Sequence, residues 1–354
     1  MLDYNNPNVA REQILTSNSS SLATLIDYYF NRATEVELEN LYRVAKYFRN
    51  KYYKNKVYFR GLIEISSHCK QNCYYCGIRA NNKKANRYRL DKKTILDCCE
   101  KGHELGFRTF VLQGGEDPTY TMEIMCDITA TIKKKFKDSA ITLSIGELDY
   151  DYYKKLKQSG VDRYLLRHES ATDSHYKKLH PPTMSLRNRK VCLKNLKELG
   201  FQTGAGLMVD SPFQTPKMIA NDLLFLKALE PEMVGTGPFI PHKDTPFKDY
   251  NNLNINHTLI VLALIRIILP KALIPATTAL ATIGETYSNS ALIHSANVMM
   301  PNLSPLEHRK EYNLYNNKKS WGNESAQQIK NIKNNLKSLN LESDFSRGDY
   351  FDLQ

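Results

Sequence analysis

The chain has 354 residues, and 42% of them are hydrophobic, which suits a globular protein with one large domain. It has no run of about 18 or more apolar residues and no basic start followed by an apolar core, so we expect neither a membrane-spanning helix nor a signal peptide. We therefore expect a cytoplasmic protein without a membrane partner. Its seven cysteines are an odd number in a chain too large to need disulfides.

The net charge is +12, because 49 Lys and Arg outnumber 37 Asp and Glu. Basic residues gather in two clusters, at 43–56 and at 83–89. A basic surface can bind nucleic acid, or it can attract a small anion. The clusters are not accompanied by a motif typical of nucleic-acid-binding proteins, so we expect no nucleic acid partner.

The first elements in chain order are helices. Residues 20–53 carry apolar side chains at near-helical spacing, with Ser21 as a candidate N-cap and residues 35–48 forming a second helix. We expect residues 1–56 to form an N-terminal helical cover on the main domain.

From Val57 onward, strand-like and helix-like stretches alternate. The predicted strands are 57–65, 108–113, 141–145, 163–166, 203–209, 233–237, 274–278 and 297–300. The helices between them are 92–105, 122–136, 150–159, 186–199, 216–229 and 258–269. This pattern is typical of parallel strands joined by helical crossovers, and eight units match an α/β fold of the (β/α)8 TIM-type barrel. An open doubly wound sheet is the alternative.

We expect the barrel to span residues 57–315. The remaining residues, 316–354, are rich in Asn, Lys, Ser and Glu and form a C-terminal extension. A candidate amphipathic helix at 326–339 would pack this extension on the barrel. We expect the extension to be partly flexible, chiefly over its last ten residues.

Polar motifs follow several predicted strands at the point where each strand ends. They are the cysteine loop after the first strand, 113–117 after the second, 144–147 after the third, 167–169 after the fourth, and Thr277 with Thr278 at the end of the seventh. The C-terminal ends of barrel strands meet on one face, which carries the active site in barrel enzymes. The sequence therefore predicts an enzyme.

Three cysteines, Cys69, Cys73 and Cys76, lie at C-x3-C-x2-C spacing directly after the first predicted strand. Soft thiolate ligands this close together select an Fe–S cluster, zinc or copper(I). A [4Fe–4S] cluster is usually held by four cysteines, so three ligands leave one iron open to a substrate. A zinc site completed by His68 is the alternative, although the distant second cysteine pair typical of such sites is missing from the sequence.

Other motifs suit the binding of small charged groups. The two glycines of segment 113–116 let backbone approach a ligand, and Glu116 suits an ammonium group. Arg167 and Arg189 can each clamp a carboxylate through two hydrogen bonds. Glu169 can accept hydrogen bonds from hydroxyl groups or from an amine. A tight turn and surface ion pairs are the simpler interpretations of these residues.

The cysteine loop, with aromatic Tyr75 before its last cysteine, resembles that of radical S-adenosylmethionine (SAM) enzymes. Further segments resemble the HydE family of [FeFe]-hydrogenase maturases within that superfamily. They are 60–66, 69–79, 87–90, LQGGEDP at 112–118, RYLLRHE at 163–169, 204–209, 237–242, 275–279 and ANVMMPN at 296–302. The resemblance implies a closed barrel in which one [4Fe–4S] cluster and SAM are the cofactors, and reductive cleavage of SAM to a 5′-deoxyadenosyl radical.

The resemblance also implies roles for individual residues. The cluster ligands, and with them the catalytic residues, are Cys69, Cys73 and Cys76. The SAM-binding residues are Tyr75, Gln113, Gly115, Glu116, Ser144, Glu169, Arg189 and Met233. The residues implied for a small cysteine-derived iron complex, bearing carbonyl and cyanide, are Arg167, Thr277, Thr278 and Tyr315. The product would pass to other maturation proteins that build the diiron subcluster.

Two departures from the family pattern bear on these expectations. The chain has no cysteine beyond Cys192, so we expect one cluster rather than a second one near the C-terminus. Residues 210–215 replace a more glycine-rich turn. The alternatives are an enzyme similar to methylornithine synthase or biotin synthase, and a non-catalytic Fe–S or zinc binding module.

Overall fold

The computed structural model describes residues 2–319 and 325–353, with backbone alone for residues 325–328. The helices are α1 Pro7–Leu15, α2 Ser19–Asn31, α3 Glu35–Tyr53, α4 Lys92–Glu104, α5 Met122–Lys135, α6 Tyr150–Gln158, α7 Asp173–Leu179, α8 Leu186–Glu198, α9 Pro216–Leu229, α10 Ile255–Ile268, α11 Thr278–Ile283, α12 Glu285–His294, α13 Leu306–Arg309 and α14 Ser325–Ser338, with a 3-10 turn at Phe351–Leu353. The strands are β1 Lys56–Phe59, β2 Gly61–Ser66, β3 Thr109–Gly114, β4 Ala140–Ser144, β5 Arg163–Leu165, β6 Gln202–Ala205, β7 Met208–Val209, β8 Met233–Val234, β9 Gly237–Pro238, β10 Val298–Met299 and β11 Glu342–Asp344.

Six strands form one parallel sheet in the order β2-β3-β4-β5-β6-β8. The ring continues from β8 to β10 and back to β1 and β2 through short parallel pairings. These are Met233 with Leu273, Pro275 with Val298, Tyr58 with Val298, and Leu62 with Asn302. Eight parallel strand positions therefore close into a ring, the seventh being the short segment around 273–275. The predicted α/β barrel is confirmed, and the open doubly wound sheet is wrong.

Three predicted strands are interrupted. The stretch 57–65 separates at Arg60 into β1 and β2, and 233–237 separates into β8 and β9. The stretch 203–209 bends at Gly206, where φ is +157° and an added β-carbon would lie 2.0 Å from the carbonyl oxygen of Gly235. The short strands β7 and β9 then pair with each other beyond the main sheet. The prediction that Thr277 and Thr278 end a strand is also wrong, because Thr278 begins α11.

Most helices begin at a residue whose side chain caps the free N–H groups of the first turn. In α3, Thr34 and Glu37 form a reciprocal capping box. The caps of α4, α5, α6, α8 and α9 are Asp91, Thr121, Asp149, Ser185 and Thr215. The local sequence therefore sets where the crossover helices start.

The N-terminal helices pack on the outside of the barrel. Helix α3 and, to a lesser extent, α1 and α2 contact α10, while α2 also lies along α9. This cover makes α10 an almost wholly buried helix, in which even Arg266 is fully buried. Its guanidinium donates to the carbonyl oxygens of Ser295, Pro270 and Ala272 at 2.8–2.9 Å. Within residues 2–319 and 325–353, no helix has the length and apolar character needed to cross a membrane.

The end of the chain lies across the N-terminal end of the ring. Strand β11 pairs in parallel with β1, with Glu342 opposite Lys56. Arg163, which points inward from the start of β5, donates to the Asp349 carboxylate at 2.6 Å and to the Arg347 carbonyl at 2.8 Å. These contacts hold part of the segment whose sequence suggests flexibility.

Candidate active site

A cavity of about 260 Å³ lies at the C-terminal ends of the barrel strands. Nine residues implied by the family resemblance line it. They are Tyr75, Cys76, Gln113, Ser144, Arg167, Glu169, Thr277, Thr278 and Tyr315. These residues come from several strand ends and from a segment far along the chain. The fold therefore brings polar groups from distant parts of the sequence to one cavity.

The cysteine loop between β2 and α4 is held in place mainly through its backbone. Its amides donate to neighbouring carbonyls at 2.8–3.0 Å, from Lys70 to Glu116, from Tyr74 to Leu179, and from Gly77 to Leu314. The three partners belong to different parts of the barrel. The position of the cysteines is therefore set by tertiary contacts as well as by local sequence.

Arg87 follows the cysteine loop in the chain, and its side chain donates hydrogen bonds to carbonyl groups of that loop. Its guanidinium donates to the oxygens of Ile78 and Arg79 at 2.8 Å and of Asn82 at 3.2 Å, and it also bonds to Ser67. A planar guanidinium presents several donors in fixed directions, which suits this task. The sequence motif marks the segment around Arg87 but does not reveal this role.

Gly115 lies directly against the start of the cysteine loop. A β-carbon at this position would lie 2.6 Å from the Cys69 side chain and closer still to the backbone of His68. The glycine is required because the two backbones meet there. Gly115 therefore allows the end of β3 and the cysteine loop to lie in contact.

The three predicted ligands are free thiols of intermediate exposure, and Cys76 lines the cavity. Burial, reinforced by the charge of Cys69, raises the pKa of Cys76 to about 12. Burial also raises the pKa of Cys69, and it raises that of Cys73 together with the charges of the other two thiols. Three mutually repelling thiolates are stable here only beside a positive centre, and soft sulfur donors suit iron. The site therefore fits an Fe–S cluster.

The zinc alternative finds less support. Among the residues that the structure describes, Cys69, Cys73 and Cys76 do not form, with His68 or any carboxylate, a group arranged to hold a single metal ion. Within the part of the chain that the structure describes, His68 is therefore not arranged as a fourth ligand beside the three thiols.

Two polar atoms in the cavity wall are buried without a hydrogen-bond partner among the described residues. They are Nε of Arg167 and Oγ1 of Thr277. The rest of the Arg167 side chain is held, because its Nη2 donates to Glu169 at 2.9 Å. Buried polar atoms are nearly always satisfied in folded proteins, so these two atoms are candidate partners for a ligand in the cavity.

Glu169 is held in an unusual backbone conformation, with φ of +61°. Its amide donates to the carbonyl of Gly206 at 3.0 Å, which fixes the turn after β5. A left-handed conformation is costly for a residue other than glycine and is most often kept at functional sites. The turn aims both Arg167 and Glu169 into the cavity.

Four residues implied for SAM binding lie elsewhere in the structure. Gly115 and Glu116 line a second cavity, of about 460 Å³. Glu116 is engaged by Gln71 at 2.7 Å and by the amide of Glu147 at 3.0 Å. Its side chain also passes 2.0 Å from where a β-carbon of Gly146 would lie. Glu116 thus ties the cysteine loop to the turn after β4.

Arg189 and Met233, the other two, are also engaged within the protein. The Arg189 guanidinium is buried and donates to Glu147 at 2.5 Å and to the carbonyl of Arg167 at 2.6 Å. Met233 packs below the cavity, where its sulfur accepts from Arg60 at 3.1 Å. Neither Arg189 nor Met233 is among the residues that line the cavity of about 260 Å³. Their role in SAM binding stays a prediction. The positions of Arg189 and Met233 depend on contacts with residues distant in sequence, and local sequence patterns do not reveal such contacts.

The comparisons with known proteins agree with this geometry. Residues 63–226 match the model of the radical SAM superfamily. The chain is 46% identical over 277 residues to the [FeFe] hydrogenase maturase subunit HydE of Thermotoga maritima, covering 78% of this chain and 79% of that protein. It is 31% identical over 280 residues to 3-methylornithine synthase of Methanosarcina acetivorans, covering 77% and 78%.

Two solved structures share the fold. Methylornithine synthase matches with a TM-score of 0.80 at 24% identity, over 94% of this chain and 96% of that one. The [FeFe]-hydrogenase maturase HydG matches with a TM-score of 0.76 at 18% identity, over 95% and 78%. At these identities the two solved structures show a shared fold, whereas the sequence relationships show the family. The chain belongs to the radical SAM superfamily, whose cofactors are a [4Fe–4S] cluster and SAM, and within it to the family of the [FeFe] hydrogenase maturase subunit HydE.

Proposed function

We propose that this radical SAM enzyme acts on a small cysteine-derived iron complex during assembly of the diiron subcluster of [FeFe]-hydrogenase. Cys69, Cys73 and Cys76 would hold the cluster. When bound, the cluster supplies the electron that cleaves SAM into methionine and a 5′-deoxyadenosyl radical. The 46% identity to HydE supports this assignment.

One set of cavity residues would bind SAM, and another set would bind the substrate. Tyr75, Gln113, Ser144 and Glu169 line the cavity and offer a ring face and polar groups suited to a nucleoside. The Glu169 carboxylate is an acceptor for ribose hydroxyls. Arg167 pairs with this largely buried carboxylate at 2.9 Å and balances its charge.

The observation that carries the substrate assignment is the pair of unsatisfied atoms, Arg167 Nε and Thr277 Oγ1. A carboxylate held between the two residues would accept from both, and a charge-assisted hydrogen bond from a guanidinium is a strong one. Thr278 and Tyr315 line the same cavity and would complete the clamp. An amino acid or a metal complex of one carries the required carboxylate.

We further propose that other hydrogenase maturation proteins supply and receive the iron species. The seven free cysteines fit a reducing compartment such as the cytoplasm.

The first test uses holoprotein reconstituted with iron and sulfide under anaerobic conditions. After reduction with SAM present, we expect 5′-deoxyadenosine to form. The Arg167→Ala variant should still bind SAM and cleave it, but it should lose most hydrogenase maturation. Arg187→Ala is the matched control, because this arginine is exposed on α8. Unchanged maturation by Arg167→Ala would exclude its role in the substrate clamp.

A second candidate is synthesis of 3-methylornithine, because the relative with that activity is 31% identical and the unsatisfied carboxylate-binding atoms would also suit an amino acid. Incubation of the reduced holoprotein with SAM and lysine, an isomer of 3-methylornithine, separates the two. Formation of 3-methylornithine without any effect on hydrogenase maturation would favour this candidate.

A further inference from the structure

The cavity contains a second buried ion pair, formed by Glu64 and Lys318. Glu64 points inward from β2, and Lys318 follows Tyr315 in a segment beyond the eighth strand position. The Lys318 Nζ lies 2.6 Å from the Glu64 Oε1, and the side chains are only 8% and 1% exposed. Neither residue belongs to the set implied by the family resemblance.

Lys318 is delivered by residues 312–319, which we call the strap. The strap is fastened to several barrel loops through hydrogen bonds. Its contacts are Leu314 with Gly77, Asn316 with Pro241 and Lys243, Asn313 with His242, and Lys319 with Thr282. Leu314 and Tyr315 line the cavity beside Lys318. The strap therefore forms part of the cavity wall, and it holds the ammonium group inside.

Glu64 and Lys318 differ in how many of their hydrogen-bonding groups have a partner. Glu64 is satisfied on both oxygens, because its Oε2 accepts from Asn302 at 2.8 Å. The ammonium has three N–H donors, and among the described residues its acceptor is Glu64 alone. The same Nζ lies 5.3 Å from the centre of the Tyr312 ring. Donor capacity is thus left over on a group that lines the cavity.

A buried ion pair is weak evidence that the two residues serve to stabilise the fold. Removing two charges from water often costs more than their attraction returns, and apolar side chains of similar size would stabilise the fold at least as well. Lys318 is also a second cation in a cavity that already contains Arg167. Each cation is balanced by one glutamate, at 2.9 Å for Arg167 and 2.6 Å for Lys318. The two ion pairs therefore place charged groups at two positions in the cavity without adding net charge.

The two pairs lie far apart around the ring. Glu64 is on the first strand position, while Arg167 follows the fourth. We infer, on the basis of the proposed function, that Lys318 is a second substrate-recognition residue that donates to an electron-rich group at the end of the substrate away from its carboxylate. The substrate class is then an amino acid derivative with a strong hydrogen-bond acceptor or anion on its side chain, and Glu64 positions the ammonium that recognises it.

The test measures binding of two probes to reconstituted holoprotein with SAM bound, by calorimetry. S-Sulfo-L-cysteine carries a carboxylate and a second anionic end, whereas S-propyl-L-cysteine carries the carboxylate and an apolar end. We expect the native protein to prefer the sulfonate. In Lys318→Met this probe should bind about tenfold more weakly or worse, the size of one charge-assisted hydrogen bond. Affinity for S-propyl-L-cysteine and for SAM should stay within about twofold.

Lys318→Met leaves a buried unpaired carboxylate, which can prevent folding. The double variant Glu64→Gln with Lys318→Met removes that charge and should show the same loss of preference. Lys330→Met, on the exposed side of α14, is the control and should behave as the native protein does.

The outcomes separate this inference from the proposed function. Equal weakening of both probes, or no change in either, would overturn the role of Lys318. If S-propyl-L-cysteine binds in an Arg167-dependent way but the sulfonate brings no advantage, the proposed substrate clamp stands and the inference falls. If neither probe binds to native holoprotein that has SAM bound, both are wrong.

Discussion

The carbonyl oxygen of His68 lies 2.2 Å from the point that a β-carbon on Gly115 would occupy. The end of β3 and the cysteine loop therefore meet backbone to backbone. Real β-carbons do not approach other heavy atoms this closely, so any side chain at residue 115 must displace the loop. The glycine that follows β3 thus determines where the first predicted cluster ligand can lie.

The first prediction follows from this contact. Gly115→Ala should shift the cysteine loop and lower the iron bound per chain after reconstitution by at least about half. The reason is steric, because the obstacle is backbone and cannot rotate away. Iron and sulfide analysis with the cluster absorbance measures the effect. Gly284→Ala is the control, since its nearest neighbour is the movable ring of Tyr287 at 3.2 Å. A full cluster in Gly115→Ala would contradict the steric argument.

The second prediction concerns the ligands. Cys73→Ala should abolish cluster assembly, because two thiolates cannot hold a [4Fe–4S] centre firmly. Cys126→Ala provides a matched control on α5, where the thiol is half-buried and outside the loop. Iron content and formation of 5′-deoxyadenosine are the measurements. Retention of both in Cys73→Ala would remove this residue from the ligand set.

The third prediction concerns Arg87, which bonds to four carbonyl groups of the cysteine loop. Lysine keeps the charge but cannot present donors in several directions at once. Arg87→Lys should therefore lose roughly 1–3 kcal/mol of stability and release its cluster faster under a chelator. Chemical unfolding and the time course of bleaching measure these effects. Arg32→Lys, in an exposed pair with Asp27, is the control. Equal behaviour of the two variants would show that Arg87 does not organise the loop.

The fourth prediction is a pH dependence set by Asp349. Burial opposes ionisation of this carboxylate, but a hydrogen bond from Arg347 and the charge of Arg163 outweigh it and lower its pKa from 3.8 to about 2. The ionised form therefore stabilises the folded state above the unfolded-state pKa. This contribution, roughly 2 kcal/mol, should disappear as the pH falls from about 5 towards 2.

Asp349→Asn should consequently be less stable than the native protein at pH 7, and the difference should shrink on acidification. Denaturant unfolding followed at several pH values between about 3 and 7 checks this trend. Asp352→Asn is a suitable control in the same tail, because its ion pair with Lys271 is about half exposed. A difference that stays constant with pH would show that the carboxylate charge is not what holds the tail.

Much of the fold follows from local periodicity. The crossover helices begin at the expected places because Asp91, Thr121 and Asp149 provide caps next to apolar repeats. The cysteine loop can also be recognised from local sequence, because its three predicted ligands lie within eight residues. The resemblance to a known family adds residues such as Thr277, Thr278 and Tyr315, which the structure brings to one cavity.

What the sequence does not reveal depends on contacts between distant residues. The family resemblance implies a place for Arg189 in the SAM site, but its guanidinium bonds to Glu147 and to the Arg167 carbonyl instead. Lys318 had no motif to mark it, because its position depends on a partner 254 residues earlier. The breaks within predicted strands were missed because apolar alternation does not show where a strand changes partner.

The neighbours of β1 have a consequence for how the protein is made. Tyr58 pairs with Val298 on one side and with Asp344 on the other. While the chain emerges from the ribosome, this strand therefore has two open edges until nearly all of the sequence has been translated. An unpaired strand edge is a template for aggregation, and pairings this distant in sequence form slowly. Chaperones that shield β1 during synthesis should accordingly raise the yield of native enzyme.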